Sequence, residues 1–304
     1  MRRTAQKFGG PWSIFKIETV ASYLAAFNRA LSKTSFNRIY IDAFAGSGSF
    51  KFGDDSKAPL LDDLEGVREV AGSAARALDT RPPFHKVYLL ENRRKNIRSL
   101  EALVKERSDQ ACEVAILEGD ANESVRSICK MTPWATSRGV IFLDPFGTSV
   151  EWQTLRSIAA TKGLDVWYLF PLLGVTRNAP LAIDALSNDK KAAVMRVLGT
   201  SEWQDHFYAQ ATETGDLFDR TETNVPLVRS INVLGIEKFV RSRLFEVFPR
   251  VEQPARLLGP HNAPMFSLFF AVSNPDQRAQ EIASRIARHL LTQSAKGIRP
   301  KSGH

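Results

Sequence analysis

Arg38-Ile39-Tyr40-Ile41-Asp42-Ala43-Phe44-Ala45-Gly46-Ser47-Gly48 is an apolar, β-branched run that stops in a turn of residues with little or no side chain. A buried strand ending in Gly-x-Gly lets a ligand press against the backbone, as at the first strand-to-loop corner of nucleotide-binding α/β folds. A single glycine pair is a weak signal. It gains force because three later apolar runs each lead to a carboxylate: Glu91 after Lys86–Leu90, Asp120 after Val114–Gly119, and Asp144 after Gly139–Leu143.

Working outward, the spacing predicts an amphipathic helix over 14–31, from Ile17, Val20, Tyr23, Leu24, Phe27 and Leu31. Residues 51–72 are too long for an ordinary connection and read as a loop that folds over a ligand, followed by a short helix from Ser73 to Leu78. Strands at 86–90, 113–117, 139–143 and 164–170 then alternate with helices near 93–107, 121–131 and 150–161. That rhythm predicts right-handed crossovers and a parallel sheet covered on both faces. Residues 171–229 read as a helical cap inserted into the domain, containing Trp203, His206, Phe207 and Tyr208. A helix over 231–247 follows. Strands at 255–258 and 265–272 are joined by a loop so short that they must run antiparallel, and a last helix spans about 276–292. The expectation is one domain over 1–304. It is an α/β, Rossmann-like fold of the class I methyltransferase plan: a seven-stranded, mostly parallel sheet with an antiparallel C-terminal hairpin and a helical insertion.

Composition narrows the chemistry. The chain has 304 residues, 43% hydrophobic, with 41 Lys and Arg against 33 Asp and Glu, a formal charge of +8. The excess is modest, but it raises the weight of anionic partners, nucleic acid first among them, and the densest internal run is Arg93-Arg94-Lys95-Asn96-Ile97-Arg98. Solvated helix faces account for such a run equally well. Two cysteines, Cys112 and Cys129, give neither a disulfide framework nor metal-ligand spacing and suit the cytoplasm. The basic start Met1-Arg2-Arg3 runs into Gly9-Gly10-Pro11-Trp12 instead of an apolar signal core, and no later run is long and apolar enough to span a membrane. Five histidines show no paired spacing. Neither a Gly-x-Ser-x-Gly elbow nor a Gly-Lys-Ser/Thr phosphate loop is present, and the glycine corner lacks the third glycine of a dinucleotide fingerprint.

Ligands of parallel sheets bind beyond the carboxyl ends of the strands, and the residues there fit S-adenosylmethionine. Gly46 and Gly48 would admit its methionine part, with Phe44 and Ala45 in the floor and Asp42 holding the ammonium group directly or through water. Glu91, with Asn92 beside it, suits a ribose, because a carboxylate accepts from both cis hydroxyls. Asp120 would accept from the adenine amine while the amide of Ala121 reads a ring nitrogen. Each of these acids alone reads equally well as a helix cap. Asp144-Pro145-Phe146-Gly147 closes the fourth strand and resembles the Asp-Pro-Pro-Tyr type motif of amino-group methyltransferases, with Phe-Gly standing where that motif has Pro-Tyr. A plain Pro-Gly turn is the alternative. No metal is expected.

Trp12-Ser13-Ile14-Phe15-Lys16-Ile17-Glu18, Tyr40–Gly48, Gly72-Ser73-Ala74 and Phe142–Gly147, taken in order, resemble the three-Cys-motif partner proteins. The resemblance covers about Trp12 to Phe170. It implies a class I S-adenosylmethionine-dependent methyltransferase fold and a partner, a three-cysteine protein similar to radical S-adenosylmethionine enzymes. Two functions follow as expectations. The first is methyl transfer to a nucleophile beside Asp144, a nucleic-acid base or other amine, with Trp203, Phe207 and Tyr208 as a stacking wall. The second is a binding partner of the three-cysteine protein with little turnover of its own.

Overall fold

The apolar runs form alternating strands and helices in the computed structural model, which describes residues 11–52, 68–107, 112–210, 226–259 and 262–297. Helix α1 (Pro11–Leu31) leads into strand β1 (Asn37–Asp42), whose last five residues are buried. An antiparallel ribbon, β2 (Ser49–Phe52) with β3 (Arg68–Ala71), follows and precedes α2 (Ser73–Leu78). The order then becomes β4 (Lys86–Glu91), α3 (Arg94–Lys105), β5 (Glu113–Glu118), α4 (Ala121–Met131), β6 (Ser137–Leu143), α5 (Trp152–Ala160) and β7 (Leu164–Phe170). Helices α6 (Leu172–Asn178), α7 (Asn188–Leu198) and α8 (Trp203–Phe207) come next, with β8 (Tyr208–Gln210) paired to β9 (Leu227–Arg229). Helix α9 (Val233–Phe245), strands β10 (Arg250–Val251), β11 (Ala255–Leu258) and β12 (Pro264–Val272), and helix α10 (Gln277–Gly297) complete the described chain.

The main sheet runs β10-β12-β7-β6-β1-β4-β5, with β11 also on β12. Strands β5, β4, β1, β6 and β7 are mutually parallel, and β12 alone is reversed between β7 and the edge. Strand β10 pairs with Ala271 and Val272 and β11 with the other half of β12, so the two occupy one edge position broken at residues 252–254. Seven strand positions result. The chain proceeds from β1 outward through β4 and β5, then returns to place β6 on the other side of β1. The order therefore reverses between β1 and β6, where ligands of such sheets bind.

Alternation along the strands separates two cores, as expected of a sheet buried on both faces. Ile39, Ile41, Ile141, Leu143, Val166 and Phe269 pack with residues of α4, α5, α7 and α9. On the other face Tyr40, Val87, Leu89, Phe142, Trp167 and Phe270 meet α1, α2 and α10.

Three expectations are corrected. The supposed loop 51–72 begins and ends in the β2–β3 ribbon, with residues 53–67 outside those described. The segment 171–229 is not all helical, because β8 and β9 pair within it and Ala182 bridges to Val228; residues 211–225 lie outside the described set. Trp203 and Phe207 are fully buried and Tyr208 nearly so, stacked on one another and on Phe239. They are core, and no stacking wall exists there.

Candidate functional site

The loop after β1 is stitched to both neighbouring strands. Ala43 N–H donates to the Phe142 carbonyl (3.1 Å) and Ala45 N–H to the Leu90 carbonyl (3.0 Å). Gly46 and Gly48 hold φ of +62° and +78°, a region that side chains rarely adopt. A Cβ on Gly46 would meet nothing within 4 Å, so at this residue a ligand can reach the backbone, whereas a Cβ on Gly48 would lie 2.6 Å from the Leu103 side chain of α3, so Gly48 serves the packing of that helix. Gly72 N–H donates to the Gly48 carbonyl at 2.8 Å and ties the start of α2 to the same loop.

Asp42 lies beneath this loop and is wholly buried. Its carboxylate accepts from the Tyr40 hydroxyl (3.2 Å), the Phe44 N–H (3.4 Å) and the Ser73 hydroxyl. Loss of hydration, helped by the nearby charge of Asp144, pushes its carboxyl up to about 6 against the pull of those bonds. A direct grip on a ligand ammonium is not offered by a side chain so enclosed. Asp42 fixes the loop from below.

Glu91, at the end of β4, is buried. Its Oε1 accepts from Asn92 N–H (2.9 Å) and Arg93 N–H (2.8 Å), and its Oε2 accepts from the Asn96 amide (3.1 Å). Three of about four acceptor positions on the carboxylate are therefore in use. Bidentate capture of two hydroxyls requires Asn96 to move aside, which corrects the simpler expectation. Asn92 is exposed beside it. Asp120 is exposed and is the N-cap of α4, accepting from Glu123 N–H at 3.0 Å, with Ala121 as the first helical residue. It therefore already performs the capping role that its sequence position allowed.

Asp144 follows β6 on the same face of the sheet as Asp42. Its Oδ2 takes a hydrogen bond from the Lys16 ammonium, and that ammonium also lies 5.3 Å from the Trp12 ring centre. Trp12 in turn packs on Phe266 at 5.1 Å. Pro145 is buried, whereas Phe146 is 61% exposed and sits 5.5 Å from the Arg93 guanidinium. Strand β1 lies between β4 and β6, so the Phe146–Arg93 contact crosses above the glycine loop. Asn122 anchors the segment after β6. Its amide donates to Ser149 C=O and its oxygen accepts from Glu151 N–H and Thr154 Oγ1, each at 2.9 Å.

Lys16 and Asn122 are the two site residues that sequence reading missed. Ser13, Lys16, Val20, Tyr23 and Phe27 recur at three and four residues along α1, and all five are buried. A lysine in that stripe was the available signal. Asn122 carried none, because an Asn one residue past a helix start reads as surface.

The cysteines take no part in the site: burial pushes the Cys129 thiol up to about 12 and the half-buried Cys112 thiol up to about 11. Among the described residues no three His, Cys, Asp or Glu side chains are grouped to hold a metal, and no helix is long and apolar enough to cross a membrane. A cavity of about 370 Å³ lined by Asn37, His85, Lys86 and Glu113 opens at the N-terminal ends of the strands, the end opposite the glycine loop.

Strand order, the reversal between β1 and β6 and the glycine loop define an α/β protein of the class I methyltransferase plan. No family model matches the chain, and no curated protein does. Among solved structures, the Legionella pneumophila str. Philadelphia 1 protein LPL1258 (family-model DUF519) is 14% identical. It is matched over 94% of this chain and 93% of its own, with a TM-score of 0.49. A putative O-methyltransferase from Klebsiella pneumoniae is 13% identical over 88% and 92%, TM-score 0.41. The Bacillus cereus O-methyltransferase in complex with SAH is 14% identical over 88% and 83%, TM-score 0.38. The fold assignment rests on this chain's own topology.

Proposed function

We propose that the chain is a methyltransferase that binds S-adenosylmethionine above the β1 loop and passes its methyl group to a nucleophile beside Asp144. The observation that carries this reading is convergence. The Gly46–Gly48 turn, Glu91, the start of α4 at Asp120 and Ala121, and Asp144 all gather at the carboxyl ends of the strands around one reversal of order. The cofactor would supply an electrophilic methyl on a sulfonium. The protein's part is to align donor and acceptor and to remove the acceptor's proton, with Asp144 as the acceptor of that proton. Gly46 would admit the methionine end, with Gly48 shaping the turn against α3, Glu91 would use its remaining acceptor position on the ribose, and Ala121 N–H would face the base.

The three-Cys-motif partner reading is supported by the way its motif stretches meet. Lys16 of the first pairs with Asp144 of the last, while Gly72 and Ser73 pack on Gly48 and Asp42 of the second. A planar, anionic acceptor, nucleic acid among them, is favoured by exposed Phe146 with the exposed Arg93 guanidinium 5.5 Å from its ring.

Calorimetric titration with S-adenosylmethionine and S-adenosylhomocysteine tests the reading. Wild type should bind, and Glu91→Ala and Asp120→Ala should each weaken binding by about tenfold or more, the scale of one charge-assisted hydrogen bond. A folded wild type that binds neither ligand removes the methyltransferase reading and leaves the binding-partner role in front.

A further inference from the structure

We infer that the methyl acceptor is an oxygen acid, a phenol- or enol-type hydroxyl, and that Lys16 holds its oxyanion. This inference rests on the methyltransferase reading above. Its basis is the ion pair that α1 places at the end of β6. Asp144, which would take the acceptor's proton, already holds the Lys16 ammonium, with the Trp12 ring alongside, so base and cation are delivered to the acceptor together. The Lys16 side chain is 11% exposed and that of Asp144 24%, so both charges are largely withdrawn from water yet remain open on one side. An uncharged amine would gain little from a fixed positive charge at close range. A developing oxyanion would meet a donor that is already oriented, and such preorganised charge is worth most where water is excluded.

The other charged or titratable groups near the pair fit this assignment. Asp42, buried one strand over, interacts with Asp144, and Tyr40 donates to Asp42. They add no positive charge; Arg93, against the Phe146 ring two residues past Asp144, is a cation at this corner that the Lys16 variants leave in place. In the step itself the acceptor O–H gives its proton to Asp144. The oxygen lone pair forms the new O–CH3 bond, and the S–CH3 bond breaks with its electrons remaining on sulfur. As Asp144 takes the proton its hold on Lys16 weakens, so the ammonium turns to the oxygen. The proton leaves through the exposed edge of Asp144 to water.

The test uses the full-length protein saturated with S-adenosylhomocysteine, titrated with 4-nitrophenol and 4-nitrocatechol, whose visible absorbance reports ionisation, and with 4-nitroaniline as the uncharged amine counterpart. Wild type should bind a nitrophenol as the anion, lowering its ionisation midpoint by about one pH unit or more, as expected for an adjacent opposite charge. Lys16→Met should abolish that shift while the calorimetric affinity for S-adenosylhomocysteine changes less than threefold, and Lys16→Arg should restore part of the shift. Lys16→Met with Asp144→Asn removes both charges together and covers the case in which the single variant does not fold. Tighter binding of 4-nitroaniline, absence of nitrophenol binding, or an unchanged shift in Lys16→Met each overturns the inference. Failure to bind S-adenosylhomocysteine at all overturns the methyltransferase reading itself, and the inference with it.

Discussion

Gly72 has no room for a side chain. A Cβ there would lie 2.9 Å from the Gly48 carbonyl oxygen and 3.0 Å from its carbon, and both belong to backbone that cannot rotate away. Gly46 is the opposite case, with φ of +62° and open space around it. The two should therefore respond differently to the same substitution. Gly72→Ala is expected to cost about 1–3 kcal/mol, the range for forced repacking, and to push the Gly48 loop out of register, weakening S-adenosylhomocysteine binding as well. Gly46→Ala is expected to cost only about 1 kcal/mol, the penalty for an L side chain in the left-handed region. Urea denaturation of both variants, with calorimetry alongside, decides this. Equal losses would show that steric contact at Gly72 is not what holds the loop. Asn122→Ala belongs at this scale too. It strands Ser149 C=O and Glu151 N–H and leaves Thr154 Oγ1 only its bond from Arg126, and a loss of about 1–3 kcal/mol follows from leaving polar groups unpaired.

Helix α1 is the element that joins the two ends of the sheet. Lys16 reaches Asp144 beyond the carboxyl end of β6, and Tyr23, about two turns further on, donates to Asp165 at 2.7 Å near the start of β7. Seven residues of helix advance about 10 Å, and the four strand residues separating the levels of the two carboxylates advance about 13 Å. Between them Tyr23 packs on Trp167 and Phe270 at 5.4 and 4.9 Å, and Glu18 pairs with Arg76 of α2. Tyr23→Phe keeps the ring contacts and removes the hydroxyl, leaving Asp165 without its donor. A loss of about 1–3 kcal/mol in chemical denaturation is expected, with cofactor affinity unchanged. An affinity that falls with stability would place α1 under tension from both ends. This element also marks where the sequence stopped being readable. Its helical period, like the β-branched strand runs, is a local pattern and was legible at once. The Lys16–Asp144 pair joins residues 128 apart, and no local pattern announces such a contact. The β2–β3 ribbon was missed because four-residue strands carry too few alternations to stand out. Trp203, Phe207 and Tyr208 were legible as a cluster, but a sequence does not say whether rings close together face solvent or one another.

Across the whole molecule, two buried carboxylates lower stability as pH rises, opposed in part by His85, whose imidazole burial and the Arg38 charge hold below its usual range. Burial pushes Asp165 up to about 7, against the opposing pulls of the Tyr23 hydroxyl and the Arg138 charge, and pushes Asp42 up to about 6. In the unfolded chain both titrate near ~3.9. Between about pH 4 and 7 the folded protein therefore holds protons that the unfolded chain has released, so unfolding liberates protons and rising pH favours it. Stability is largest on the acid side of this window and declines as pH climbs through it, by up to about 1.4 kcal/mol per pH unit for each group at its steepest. Asp165→Asn separates the two contributions, because its amide oxygen still accepts from Tyr23 while the titrating proton is gone. Thermal unfolding of wild type should show a midpoint that falls from pH 5.5 to pH 8, and Asp165→Asn should flatten the upper part of that fall while leaving the lower part, which belongs to Asp42. A variant whose midpoint falls in parallel with wild type would mean that Asp165 is ionised in the folded protein and balanced by Arg138, and the pH dependence would then have to arise elsewhere in the fold.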